Sequence, residues 1–163
     1  MSEIYEAIKE PSANKVLATF YIEAQCGDTT RFVHDQLWPS WQKLYDTNQI
    51  IWRVVPFGKA QCYSQPDNDY KCECQHGEDE CELNQLMNCV IKHVRRIDHL
   101  LDCASGKEGR RLLSEAGELT KQIDLTFVPW IELNGKRSVD AMYALHENLC
   151  NLMPNKPKQC FNN

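Results

Sequence analysis

The chain has 163 residues, 42% of them hydrophobic, which is enough for one domain with an ordinary core and means disulfides are not needed merely to fold it. A formal net charge of −5, with no basic cluster to offset it, argues against nucleic acid or an anionic membrane surface as partner. Nine cysteines indicate an oxidising compartment, and the odd number leaves one over.

Met1 to Ser12 is polar, without the apolar core of a signal peptide, so an export signal is expected to have been removed. No Asn-x-Ser/Thr sequon occurs; Asn148-Leu149-Cys150 is only the rare cysteine variant. No apolar stretch is long enough to insert in a membrane.

In chain order, residues 1–14 read as a frayed arm. Lys15 to Ala24 is a near-continuous apolar run of the kind found in central strands. Cys26-Gly27-Asp28-Thr29 follows, at a strand-to-helix junction. The helix that opens there carries Phe32, Val33, Leu37, Trp41, Leu44 and Tyr45 toward one side, and Pro39 should kink or split it. The Trp38-Pro39-Ser40-Trp41 aromatics are expected in the core, and His34 on the surface. Ile50 to Pro56 is a second strand, and strand, helix, strand makes a right-handed βαβ unit with parallel strands.

Residues 59–78 lack periodicity and carry turn chemistry, Pro66 to Asp69, among cysteines; they read as an irregular loop. Helical spacing begins at Glu80 and runs through Leu83, Leu86, Val90, Val94, Ile97 and Leu101. The run Lys92 to Arg96 reads as a solvated helix face. A further helix spans Lys107 to about Ile123. Asp124 to Pro129 leads into Trp130 to Leu133 and Asn134-Gly135, a strong hairpin signal. Ser138 to Met153 is the last helix, ended by Pro154 and Pro157. The order is βαβ, a helical insertion, then ββα.

Cys26 sits where the first helical N–H groups lack partners and the helix dipole is positive, a place that favours the nucleophilic thiolate. Asp28 opposes it as a like charge. The stretch Cys74-Gln75-His76-Gly77-x-x-Glu80-Cys81-x-x-Asn84-x-x-x-x-Cys89 fixes eight positions in sixteen residues. It resembles, at every defined position, the signature of the gamma-interferon-inducible lysosomal thiol reductase family. Val55-Pro56-Phe57-Gly58, Val128-Pro129-Trp130 and Asn134-Gly135-Lys136 resemble further family segments, so the resemblance covers roughly residues 15–160. It implies a thioredoxin-like α/β fold over residues 1–163, with residues 59–123 as a disulfide-bonded loop and helical insertion. It also implies a cis-proline at Pro129, facing Cys26.

Two departures identify the chain as a divergent, insect-like member. Family reductases carry Cys-x-x-Cys at this junction; Cys26 matches the attacking cysteine, but Thr29 stands at the resolving position. A hydroxyl cannot perform the second thiolate attack, although Thr29 is placed to hydrogen-bond a Cys26 thiolate. Only thirteen residues lie between Cys89 and Cys103, where better-known members have a longer cysteine-bearing insertion.

The odd cysteine is expected to be Cys26, with Cys62, Cys72, Cys74, Cys81, Cys89, Cys103, Cys150 and Cys160 in disulfides. Cys62 and Cys72 read as a pair across the loop, and Cys150 and Cys160 as a staple of the tail to the last helix. Cys81 and Cys89 lie about 12 Å apart along a helix and cannot bond. That leaves Cys74–Cys89 with Cys81–Cys103, or Cys74–Cys81 with Cys89–Cys103. A zinc site on Cys72, Cys74, His76 and Cys81 is set aside for want of a second knuckle, so no metal and no cofactor are expected. His76 reads as a loop histidine holding backbone carbonyls, the other reading being a base near Cys26.

Two functions remain. One is a secreted protein that has lost thiol reductase activity and acts by binding a protein or cell surface in an immune or host-interaction role. The other is a monothiol oxidoreductase that uses Cys26 with a small thiol. A monomer is expected. Location is extracellular, with the lysosome as alternative.

Overall fold

The computed structural model describes residues 14–93 and 99–161. The expected arm before Asn14, and the helical positions Val94 and Ile97, lie outside them. Strand β1 (Val16–Ile22) is buried along its whole length. It pairs in parallel with β2 (Ile50–Pro56), from Val16 opposite Ile50 to Ile22 opposite Pro56. On its other edge it pairs antiparallel with β5 (Trp130–Leu133), which continues through Asn134 and Gly135 into β6 (Lys136–Arg137). The sheet order is β2-β1-β5-β6. Asn134 and Gly135 both have positive φ, 51° and 72°, the left-handed geometry of a two-residue hairpin turn.

Successive side chains of a strand point to opposite faces, so β1 feeds two cores. Val16, Ala18, Phe20 and Ile22 face a cluster with Phe32, Leu44, Ile131, Leu145, Leu149 and Met153. Tyr21 faces the other, with Val55, Phe57, Leu113, Ala116 and Trp130.

The first helix covers the first of these faces in three pieces: α1 (Gly27–Phe32), a π turn (Val33–Leu37) and α2 (Trp38–Leu44). Pro39 offers no N–H to the carbonyl one turn before it, and the wider π turn just upstream absorbs the mismatch without breaking the rod. The extra residue rotates everything beyond it. Ser40 and Leu44 therefore face inward, while Trp38 and Trp41 are 53% and 36% exposed and Tyr45 56%. The expectation that these aromatics belong to the core is thus corrected. They stack on one another outside it, with ring centroids 5.1 Å and 4.8 Å apart.

The segment between β2 and β5 covers the second face. Its start is not an irregular loop: β3 (Gln61–Gln65) and β4 (Asp69–Glu73) form an antiparallel hairpin with Cys62 directly opposite Cys72. Helices α3 (Glu78–His93), α4 (Leu100–Ser105) and α5 (Lys107–Thr120) follow. The last α-helix, α6 (Leu145–Leu152), begins later than its apolar spacing suggests, after a 3-10 turn at Asp140–Met142. Its start is fixed from outside: Leu145 N donates to Gln36 Oε1 of the π turn at 3.2 Å.

Four disulfides are formed, Cys62–Cys72, Cys74–Cys81, Cys89–Cys103 and Cys150–Cys160, with Cα separations of 4.0 to 6.1 Å. Of the two pairings open among the four middle cysteines, the chain adopts the local one. Among the described residues no helix is long and apolar enough to cross a membrane.

Candidate functional site

β1 delivers its C-terminal end to the mouth of a cleft. Glu23 follows the last residue of β1, Gln25 turns the chain with a φ of 60°, and Cys26 caps α1 in an extended conformation. Thr30 N donates to Cys26 O at 3.0 Å, the first helical bond. Cys26 is half-buried and is the free cysteine. Its thiol donates to Val128 O at 3.8 Å, across from the cis Val128–Pro129 bond. Loop and sulfur are therefore in contact, and the loop is itself held: the Arg137 guanidinium lies 4.7 Å from the Phe127 ring centre and 3.8 Å from that of Trp130.

Thr29 lies one turn into α1, buried, and its Oγ1 has no hydrogen-bond partner. The expected bond from Thr29 to the Cys26 sulfur is not made, because the sulfur turns to Val128 instead. Asp28 is exposed and 3.4 Å from Arg31, so solvent and a partner screen its charge.

The opposite wall comes from the insertion. A cleft of about 330 Å³ is lined by Glu23, Gln25, Cys26 and Gly27 from the β1–α1 junction, by Phe127 and Val128 from the proline loop, and by Lys59, Gln75 and His76 from the insertion. A larger hollow, about 520 Å³, lies between β4 and α3 and contains no free thiol.

Glu23 is 2% exposed and accepts a bond from Lys59 N at 2.8 Å. The approach requires Gly58, whose φ is +63° and where a Cβ would stand 2.1 Å from Glu23 Oε2. Burial pushes the Glu23 carboxyl up from its ordinary value, the Lys59 bond opposes this, and the neighbouring Glu80 adds to it.

His76 does not hold backbone carbonyls. Its Nδ1 contacts Glu80 Oε2 and lies 3.7 Å from Glu23 Oε1, while its backbone N–H donates to Glu80 Oε2 at 3.1 Å. Glu80, in the first turn of α3, is fully buried. One turn on, Asn84 Oδ1 accepts from Ala24 N at 3.0 Å, and Asn88 Nδ2 donates to Pro56 O at 2.8 Å. Asn84 of the cysteine-rich signature, with Asn88 outside its defined positions, thus clips α3 to the ends of β1 and β2 beside Cys26. The part played by Glu23 went unread in the sequence, though a carboxylate closing an unbroken apolar strand three residues before Cys26 was a usable signal.

Residues 17–119 match the family model described as gamma interferon inducible lysosomal thiol reductase (GILT). The chain is similar to a GILT-like protein of Caenorhabditis elegans, 39% identical over 94% of the chain, and spans 57% of that relative's length. It is 25% identical to a gamma-interferon-inducible lysosomal thiol reductase-like protein of Anopheles gambiae, over 90% of the chain and 80% of that protein. Among solved structures it resembles the oxidoreductase NmDsbA1 from Neisseria meningitidis, with a TM-score of 0.50, 12% identity and 87% of each chain covered. That likeness bears on the fold, which is thioredoxin-like with a disulfide-rich insertion.

Proposed function

The chain belongs to the gamma-interferon-inducible lysosomal thiol reductase family, and from that membership we propose a member that no longer turns over protein disulfides and acts by binding a protein or a cell surface. One observation carries the proposal. Thr29 fills the resolving position with a buried, unbonded hydroxyl, and all eight cysteines other than Cys26 are in disulfides. Attack by the Cys26 thiolate on a substrate disulfide gives a Cys26–substrate disulfide and one released thiolate. A dithiol enzyme frees the product when its second thiolate attacks the Cys26 sulfur and reduces the mixed disulfide. This chain has no second thiol to do so. Four intact disulfides support an oxidising location, extracellular or lysosomal, and we favour secretion.

The second reading has its own support. Cys26 is half-buried rather than sealed and borders a cleft of about 330 Å³, room for a small thiol. Attack of such a thiol on the mixed disulfide would regenerate Cys26 and carry the substrate sulfur away as a mixed disulfide with the small thiol.

Insulin reduction by an equimolar amount of the chain, with no small thiol or dithiol added, at acid and neutral pH, tests the proposal. The unmodified chain should run near background, and Thr29→Cys should raise the rate, though not to a full reductase level if the short insertion limits substrate engagement. Reduction by the unmodified chain that Cys26→Ser abolishes, with glutathione absent, would overturn it.

A further inference from the structure

Beside the Cys26 cleft, which Glu23 and His76 line, lies a group of side chains that the sulfur chemistry does not use. Glu23 and Glu80 are 2% and 0% exposed, yet both are carboxylates, and they share one imidazole, His76. One donor atom from each of the three lies within 4.8 Å of the others. Glu80 Oε1 is buried and accepts no hydrogen bond. Two buried carboxyl groups therefore converge on one imidazole, away from solvent. An unpartnered carboxylate oxygen in that setting is an acceptor without a donor.

We propose that Glu23, His76 and Glu80 form a zinc site, with a water at the fourth position. The donor set fits: one imidazole and two carboxylates with an open position is a three-ligand zinc arrangement, whereas calcium and magnesium take oxygen ligands. The geometry fits with a small adjustment. Zinc ligands at about 2.0–2.2 Å in a tetrahedron stand roughly 3.3–3.6 Å from one another. His76 Nδ1 and Glu23 Oε1 are already 3.7 Å apart. The contact between His76 Nδ1 and Glu80 must open to admit the ion between them. His76, with 43% of its side chain exposed, gives the ion a way in from the cleft.

The ligand set differs from the cysteine-based one considered from the sequence, whose sulfurs are all in disulfides. It also excludes Cys26, which lines the same cleft but is not among the three clustered donors. The other cluster of this kind among the described residues, His93, Cys103 and Glu108, fails because the Cys103 sulfur is bonded to Cys89. The zinc site is independent of the reductase question, since Cys26 contributes no ligand.

The test uses the full chain with its disulfides intact, stripped with a chelator, and titrated with zinc chloride against a chromogenic competitor. One equivalent should bind. His76→Ala, checked for folding by circular dichroism, should weaken binding by about tenfold or more. Glu23→Gln, checked for folding by circular dichroism, should do the same. Cys26→Ser should change the affinity less than twofold. No binding above that of His76→Ala, or binding that Cys26→Ser abolishes, would overturn the proposal.

Discussion

The two faces of the central sheet are held by different means. On the face covered by α1, α2 and α6, burial of large apolar side chains dominates: Phe20, Leu44, Leu145 and Leu149 are each 0% exposed. On the insertion side an apolar cluster also meets the sheet, with Val55, Leu113 and Ala116 each 0% exposed, but beyond it the cluster under α3 is small, Cys89, Cys103, Ala104 and Leu112, and two of those four residues are themselves a disulfide. Three of the four disulfides lie in the insertion. Cys26 sits at the seam, on the apolar half, facing a wall supplied by the cross-linked half. The difference shows what the cysteines do here: most hold up a wall, and one faces it.

The contrast can be broken most strongly at Phe20, whose ring lies 5.9 Å from that of Phe32 and 6.1 Å from that of Trp52. Phe20→Ala should cost about 3–5 kcal/mol of global stability, read as a drop in the urea midpoint with both halves unfolding together. A smaller effect is expected from removing the Cys89–Cys103 bridge, which closes a separation of 14 residues. Replacing both cysteines with alanine should cost about 3 kcal/mol. Hydrogen exchange should then rise in α3 and α4 before it rises in β1. Equal acceleration in β1 would mean the halves are not held separately.

The smallest effect is electrostatic and differs in sign between the halves. In the insertion, Arg110 donates to both oxygens of Asp69, at 2.9 and 2.8 Å, and holds its carboxyl at a pKa of about 2. The folded value is below the unfolded one, so this contribution is present above about pH 4 and is lost as pH falls through about 2. At Glu23 burial raises the folded pKa, so acid favours the folded state as that carboxyl takes its proton. Asp69→Asn should therefore weaken protection of the β3–β4 hairpin at neutral pH and make much less difference near pH 2, measured by exchange across a pH series.

Much of the apolar half was legible in the sequence because its signals are local: an unbroken apolar β1, an Asn-Gly turn, a cysteine at a strand-to-helix junction. The misreadings have physical causes. The helical spacing of Trp38, Trp41 and Tyr45 predicts one face only for a uniform helix, and the π turn at Val33–Leu37 shifts the phase. The β3–β4 hairpin shows no apolar alternation because the residues it turns toward the core are the bonded pair Cys62 and Cys72, which also marks its register. The start of α6 depends on Gln36, which is 109 residues away. At the site, spacing located Cys26, Thr29 and Pro129, but the grouping of Glu23, His76 and Glu80 arises from β1 meeting α3, which no local pattern encodes.

The central claim is that Cys26 works without a resolving thiol, and the lifetime of its mixed disulfide tests this most directly. The intact chain would be mixed with two short peptides joined by one disulfide, so that attack by Cys26 releases one peptide as a free thiol that is then removed by desalting. Samples would be quenched with acid at intervals and the mass of the chain followed. The peptide adduct on Cys26 should form, persist without decay, and vanish within minutes of adding a small thiol; Thr29→Cys should release the peptide unaided. Spontaneous release from the unmodified chain, with Cys26 returning to the free thiol, would contradict the account.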